Sequence, residues 1–409
     1  MVVWIANPFD TLPWEPGSRM RYESLARPLV ECGHRVVWWS ADFSHRDKTR
    51  RSLPAGDPGA LCVRLVTVPP YRRNVGLGRV FSHHRYAARF QHEAITAVER
   101  GDAPVPDLLL MSLPPMDTIN AAAAIRAKTG CRLVVDVQDA WPQTLRDMAF
   151  PAALRSTLGN LALAPYWRLL KRAMREADAV CASTTTFADF ARDNGFTGTT
   201  KVVYLGAEAA RFEVAAAQRP PDGPLRLIYL GSMGRMYDLD TVVAALALLA
   251  PSPQQLQITF VGDGPKRAAL EASILERGLC GVARFTGFLS GEALGAELAD
   301  AHAGIIAMWP QSHVACPNKA CDYAAAGLAI LNCLPGEMAS LISRYNAGIA
   351  YTAGDAESLA GALRRYSGER ALVLAHGQGA RRLAADNFDR AATYPKWAAW
   401  LESLVNDAN

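Results

Sequence analysis

The chain has no CxxC pair: its eight cysteines, at 32, 62, 131, 181, 280, 316, 321 and 333, are scattered through mostly apolar segments. That spacing excludes a zinc ribbon or a thiol-redox motif and predicts buried, reduced thiols in a cytoplasmic protein. The eight histidines show no HxxxH spacing either, so a zinc protease site is excluded. Neither GxGxxG nor the P-loop pattern occurs, which counts against NAD or ATP chemistry. The start, MVVWIANPFD, lacks the basic region and long apolar core of a signal peptide and looks like a first strand. Uncharged apolar runs fall short of the roughly 20 residues of a membrane span. The longest, at 323–334, is broken by Gly327 and Asn332, so any membrane contact is expected to be peripheral, at the inner face. A net charge of +4 is too small to suggest nucleic acid as a partner, although it permits an anionic ligand.

What is present is the composition of an ordinary globular protein, 50% hydrophobic and 20% charged, at a length of 409 residues that implies two domains. Apolar β runs alternate with helical periods in the first half: VVWIA, HRVVWWS, CVRLVTV, DLLLMS, RLVVDV and DAVCAS, with helices near 22–32 and over 118–129. The second half repeats that order with LRLIYLG, LQITFVG, ARFTG, AGIIAMW and LAILNC around helices at 239–249 and 266–277. Two doubly wound α/β domains are predicted, over 1–213 and 225–385. A Pro- and Gly-bearing linker at 214–224 joins them, and a helix over 386–409 packs back on the first domain. Open parallel sheets bind ligands at the carboxyl ends of their strands, so two such domains imply a cleft between them.

The densest functional signal is PNKACDYAAAGLAILNCLPGE at 317–337, which reads as a helix of about ten residues begun by Pro317 and Asn318 and stopped at Gly327. Lys319 and Asp322 are three apart and share a face near the helix start, offering a cation and free amides to a pyrophosphate and a carboxylate to ribose hydroxyls. Lys319 is expected to be exposed there. In GSMGRMYDLD and GDGPKR, glycines follow a strand and precede a helix, a placement that serves either a tight turn or a phosphate, and Arg235 adds a second cation. In DVQDAWPQT, Asp136 and Asp139 are expected to point apart because side chains alternate along a strand. Asp139 lies further into the loop and is the candidate base, unless it merely caps the next helix. The pair Asp238 and Asp240 spells DxD, but at a helix start, where capping is the expected role. The segment 77–90 mixes Arg79, Arg85 and Arg89 with Phe81, Tyr86 and Phe90, as a solvated helix or one that meets anionic lipid or an acceptor phosphate. The basic run at 45–51 is a loop near the acceptor or simply a soluble one, and His34 at a strand entry reads as structural.

In that order and spacing, GSRMRYESLARPLVECGHRVVWWS, VVDVQDAWP, VVYLGAEAARF, LIYLGSMGRMYDLDTVVAAL, ITFVGDGP and PNKACDYAAAGLAI resemble the retaining glycosyltransferases of family 4. The resemblance spans nearly the whole length and implies the GT-B fold, two facing Rossmann-like domains. It is similar in particular to transferases of polysaccharide and lipid-linked oligosaccharide pathways. It implies transfer of a hexosyl or N-acetylhexosaminyl group from a UDP- or GDP-linked sugar to a glycan, lipid-linked or small-molecule acceptor, without metal or other cofactor, in surface glycan or glycoconjugate biosynthesis. The donor would be held by Gly17, Arg235, Gly287, Phe288, Lys319 and Asp322, with Asp139 as the catalytic group. Two departures stand out. The first acid of the family's Glu-x7-Glu motif falls on Val314, and the family's catalytic-region histidine falls on Gln138 or Asp139. A nucleotide-sugar epimerase, a natural-product transferase and a non-catalytic sugar-binding protein are the alternatives on similar architecture.

Overall fold

The computed structural model describes residues 1–15, 20–54, 59–73, 76–212, 223–250, 252–310, 312 and 314–406. Most of the expected linker at 214–224, and Gly17, lie outside the described residues. The chain forms two compact units, Met1–Tyr204 with Tyr394–Asn409, and Leu205–Thr393. Both are parallel-sheet, Rossmann-like α/β domains.

The first unit carries β1 (Val2–Ala6), β2 (Arg35–Ala41), β3 (Leu61–Val66), β4 (Leu108–Leu113), β5 (Arg132–Val137), β6 (Ala179–Ala182) and β7 (Thr199–Val202). Their order is β3-β2-β1-β4-β5-β6-β7, every pair parallel. The strands are apolar on both faces because helices cover both. Alternation sends Trp4 and Trp39 to one core, with Tyr86, Phe90 and Ile119, and Val3, Ile5 and Trp38 to the other, with Tyr22 and Leu25. The last helix, Arg390–Asn406, contributes Tyr394, Trp397 and Leu401 to that second core, where the Trp397 indole donates to Cys181 Sγ at 2.9 Å.

Asp136 and Asp139 do part company. Asp136 is fully buried and receives both Arg21 Nε at 2.7 Å and the Tyr22 hydroxyl at 2.7 Å. The Arg21 guanidinium also lies 4.3 Å from the Trp397 ring centroid. Removing one partner of such a buried pair typically costs about 3–5 kcal/mol, so this cluster is architecture.

The second unit carries β8 (Leu225–Leu230), β9 (Leu256–Val261), β10 (Ala283–Gly287), β11 (Ala303–Ile306), β12 (Ala329–Asn332) and β13 (Gly348–Ala350). The order is β10-β9-β8-β11-β12-β13, again all parallel. In each sheet the winding direction reverses beside the first strand, at β1/β4 and β8/β11, the place where such sheets open a ligand crevice. No described helix is long and apolar enough to cross a membrane.

Some surface expectations fail locally. The Leu77–Glu99 helix buries Tyr86 and Phe90, whose rings stack at 5.8 Å, and leaves Phe81 exposed with the Arg85 guanidinium 5.7 Å from its ring centroid, so only part of the mixed set faces solvent. Of the 45–51 run, Arg51 is buried and bidentate on Glu15. All eight cysteines are free, but Cys32 and Cys280 are exposed because each falls just after a helix ends.

Candidate active site

In the second unit the Asn318–Ala325 helix is fixed at the β8/β11 crevice by one close fit. A Cβ on Gly304 of β11 would lie 2.4 Å from the Tyr323 ring. With only hydrogen there, the ring sits against the strand, and its hydroxyl accepts from Leu230 N at 2.8 Å. Lys319 is one turn earlier on the same face.

Lys319 is not at an exposed helix start, as its place in the sequence suggested: its residue exposure is 7%. Gly231, ending β8 with φ of +131°, is what makes room, since a Cβ there would stand 3.3 Å from Lys319 Nζ. The rings of Tyr229 and Tyr237 flank the ammonium at 3.9 and 4.3 Å from their centroids. Among the described residues Nζ has no hydrogen-bond partner. Burial pushes its pKa down to about 7, with the Cys333 thiol a smaller opposing influence. Two aromatic faces attract the cation but supply no oxygen. The chemistry left open is that of an external anion.

The glycine loops around this ammonium are built mainly to pack on each other. Cβ atoms on Gly262 and Gly264 would collide with the backbones of Gly231 and Met233 at 2.0 and 2.7 Å. Met233 N donates to Asp263 O, and Lys266 N to Met233 O. Arg235, at the tip of the first loop, is exposed. Gly287 ends β10 with φ of +76°, and its carbonyl accepts from Gly262 N at 2.8 Å. Phe288, next to it, is 80% exposed. Asp322 is half-buried one turn beyond Lys319. Asp238 accepts from Thr241 Oγ1 at 2.7 Å and caps the Leu239–Leu249 helix, while Asp240 pairs with Lys266. The DxD carboxylates are therefore engaged in helix-start contacts.

In the first unit Asp139 follows β5, half-buried, with Oδ2 accepting from the Trp141 indole at 3.0 Å and Oδ1 from Thr144 Oγ1 at 2.8 Å. Burial raises its pKa, opposed by those two hydrogen bonds. Around it stands a cluster that the sequence did not announce. The Arg79 guanidinium lies 5.5 and 5.3 Å from the ring centroids of Phe9 and Trp141 and donates to His83 Nε2 at 3.2 Å. His45 Nδ1 is 2.6 Å from the Tyr71 hydroxyl. Burial, and then the charge of Arg79, push His45 down to about 4 and His83 to about 3, so both rings are neutral at pH 7. His34, by contrast, is structural: its Nδ1 meets the Met1 amine at 3.2 Å.

Residues 17–208 match the family model of the glycosyl transferase 4-like domain, and residues 224–368 that of glycosyl transferases group 1. Together they cover most of the chain. The chain belongs to the glycosyltransferases. Among solved structures, the sucrose-phosphate synthase of Thermosynechococcus elongatus superposes with a TM-score of 0.73 at 17% identity over 100% of both chains. Anabaena HepE in complex with UDP gives 0.68 at 15% identity, over 98% of this chain and 100% of that one. At those identities the likeness is one of fold, and the fold is GT-B. The 2-deoxystreptamine glucosyltransferase of Streptomyces kanamyceticus is 27% identical over 44% of this glycosyltransferase and 47% of its own length. The chain spans about half the length of the curated relatives it matches.

The Tyr229 and Tyr237 cage was not anticipated, because a tyrosine within an apolar strand reads as core. The nearest sequence signal is the pairing of LIYLG with MYD on either side of the glycine loop.

Proposed function

We propose that this glycosyltransferase moves a hexosyl or N-acetylhexosaminyl group from a nucleoside diphosphate sugar to an acceptor hydroxyl, with retention of anomeric configuration and without a metal or other cofactor. The observation that carries it is the buried Lys319 ammonium, with no oxygen partner among the described residues, flanked by Tyr229 and Tyr237 at a helix start. Departure of the nucleoside diphosphate develops charge on pyrophosphate. A cation already stripped of water stabilises that charge more than it does the ground state. Arg235, exposed on its loop, supplies the second cation, Asp322 takes ribose hydroxyls, and Gly287 and Phe288 contact the base. Support for the donor class comes from the solved complex of HepE with UDP. In a retaining transfer the acceptor attacks from the face the leaving group vacates, and its proton passes to the leaving phosphate or to Asp139. The acceptor is a glycan or lipid-linked sugar of surface glycoconjugate synthesis. A small-molecule acceptor is the second reading, favoured by a partial match to a transferase named for 2-deoxystreptamine.

The test is release of nucleoside diphosphate from a panel of UDP- and GDP-sugars, with and without acceptor, after exhaustive chelation. Acceptor-dependent release that survives chelation supports transfer. Isomerised donor without release would make the protein an epimerase, and turnover restored only by magnesium or manganese would overturn the metal-free mechanism.

A further inference from the structure

The connection from β5 to β6 is much longer than a crossover requires. The Ala164–Glu176 helix alone supplies buried Leu170, Ala173 and Met174 to the first unit's core. Before it come the helices Gln143–Ala149, Ala152–Leu154 and Asn160–Ala162, none with a buried residue, and the wide turn Arg155–Gly159, which buries only the glycine.

This extra segment is turned inside out. Its polar groups face each other: Arg146 Nη1 donates to Asn160 Oδ1 at 3.1 Å, Arg155 Nη2 to Asp147 O at 2.8 Å and Arg155 Nε to Phe150 O at 3.1 Å. Gly159 closes the hairpin, since a Cβ there would lie 2.9 Å from Arg146 Cγ. The apolar side chains go outward instead: Met148, Leu154, Leu158 and Leu161 are 54, 44, 56 and 74% exposed. Isolated exposed leucines need no explanation, but four along a self-closed projection do.

Charge says what covers them. From 148 to 175 the chain contains no aspartate or glutamate, and its basic residues are Arg155, Arg168, Lys171, Arg172 and Arg175. The last four recur at helical spacing on one face of the Ala164–Glu176 helix, with Arg168, Lys171 and Arg175 exposed. Within the stripe Arg172 reaches Glu176 at 4.0 Å, while Arg168, Lys171 and Arg175 have no carboxylate within ion-pair distance among the described residues. Aliphatic side chains without an exposed aromatic, followed in the chain by a stripe with three such exposed cations, suit an anionic lipid surface better than a protein interface, where aromatic anchors dominate.

We infer that the projection at 143–162 and the basic face of the next helix form a peripheral docking surface for an anionic membrane, with Leu154, Leu158 and Leu161 entering the headgroup boundary. The surface is independent of the donor chemistry, so the two readings fail separately.

The full chain is sedimented with vesicles of phosphatidylcholine alone and with vesicles containing about a third phosphatidylglycerol. The wild type is expected to bind the anionic vesicles and not the neutral ones. The variant Leu154→Ser/Leu158→Ser/Leu161→Ser should lose binding by about tenfold or more, and so should Arg168→Gln/Lys171→Gln/Arg175→Gln. Both should keep the wild-type melting temperature and the wild-type rate of donor turnover in lipid-free solution. Absence of wild-type binding to anionic vesicles overturns the proposal, as does undiminished binding by the leucine variant. A wild-type dimer that the leucine variant dissolves, with no vesicle binding, overturns it in favour of a second copy of the chain.

Discussion

The loop regions after β5 in the first unit and after β8 in the second both lie at the carboxyl ends of strands in sheets wound alike, yet they treat their charges in opposite ways. After β5 the charged group is provided for: both oxygens of Asp139 accept hydrogen bonds, from Trp141 and Thr144, and Arg79 donates to His83 between two aromatic rings. Beside the β8 loop the Lys319 ammonium, carried by the helix after β11, has two ring faces and, among the described residues, no acceptor. A satisfied charge is cheap to hold and organises its loop. An unsatisfied one costs folding energy, which is recovered only when a ligand completes the site. On the function proposed above, the second region would bind the leaving group and the first would orient the acceptor.

The largest effect should come from Lys319→Met. Losing a charge-assisted contact to the leaving group is expected to lower turnover by roughly 2–4 kcal/mol in transition-state stabilisation. The melting temperature should hold or rise, because an unpartnered buried charge has gone. Near-normal turnover would erase the contrast between the two regions. Protonation sharpens it further. With the free ammonium pushed down to about 7 and its unfolded value near 10.5, the folded protein binds fewer protons than the unfolded chain between those values, so stability rises with pH across that window. A bound pyrophosphate raises the Lys319 pKa again. At pH 8, binding of UDP should therefore take up close to one proton in the wild type and none at this position in Lys319→Met. Calorimetry in buffers of different ionisation enthalpy reads this directly, and equal uptake by both proteins would remove Lys319 from the phosphate site.

Asp139→Asn addresses the other half of the comparison. If the carboxylate accepts a proton or orients the acceptor through its charge, donor binding should persist while transfer falls by about 10²-fold or more. If it only organises the loop, the amide keeps one acceptor and loses the other. The result is then a modest loss of stability of about 1 kcal/mol, seen as a small drop in melting temperature, and a nearly normal rate. Measuring UDP affinity, melting and transfer on one sample separates the two.

Much of this architecture was legible from periodicity. Strands β1, β5 and β12 and the helices Thr118–Thr129 and Leu239–Leu249 fall where the apolar runs place them, since central parallel strands are largely apolar and interior helices repeat at 3.6. The edge strands β7 and β13 escaped because an edge is half solvated: TTKV is polar, and GIA is three residues long. Lys319 was legible as a candidate residue but not as a buried one, because its burial depends on two tyrosines and a glycine about ninety residues away in the chain. The hairpin at 143–162 was invisible to pattern reading for another reason. Its leucines point outward, against the rule by which apolar spacing is interpreted, and only the lack of acids from 148 to 175 marks it.

The smallest expected effect is also the one that distinguishes a working carboxylate from a structural one most cleanly. Thr144→Val keeps side-chain volume near constant and removes one of the two hydrogen bonds that oppose the burial of the Asp139 charge. The loss should cost about 0.5–1.5 kcal/mol in stability. It should also raise the Asp139 pKa further, because the ionised form loses a donor while its desolvation is unchanged. A carboxylate that acts as base must be ionised, so the acidic limb of the transfer rate should move to higher pH in the variant. Its plateau should fall only a few-fold, and UDP affinity should stay at the wild-type value. A purely structural Asp139 gives the stability change alone, with the acidic limb unmoved. That outcome would send the acceptor proton to the departing phosphate and leave the β5 loop as scaffold.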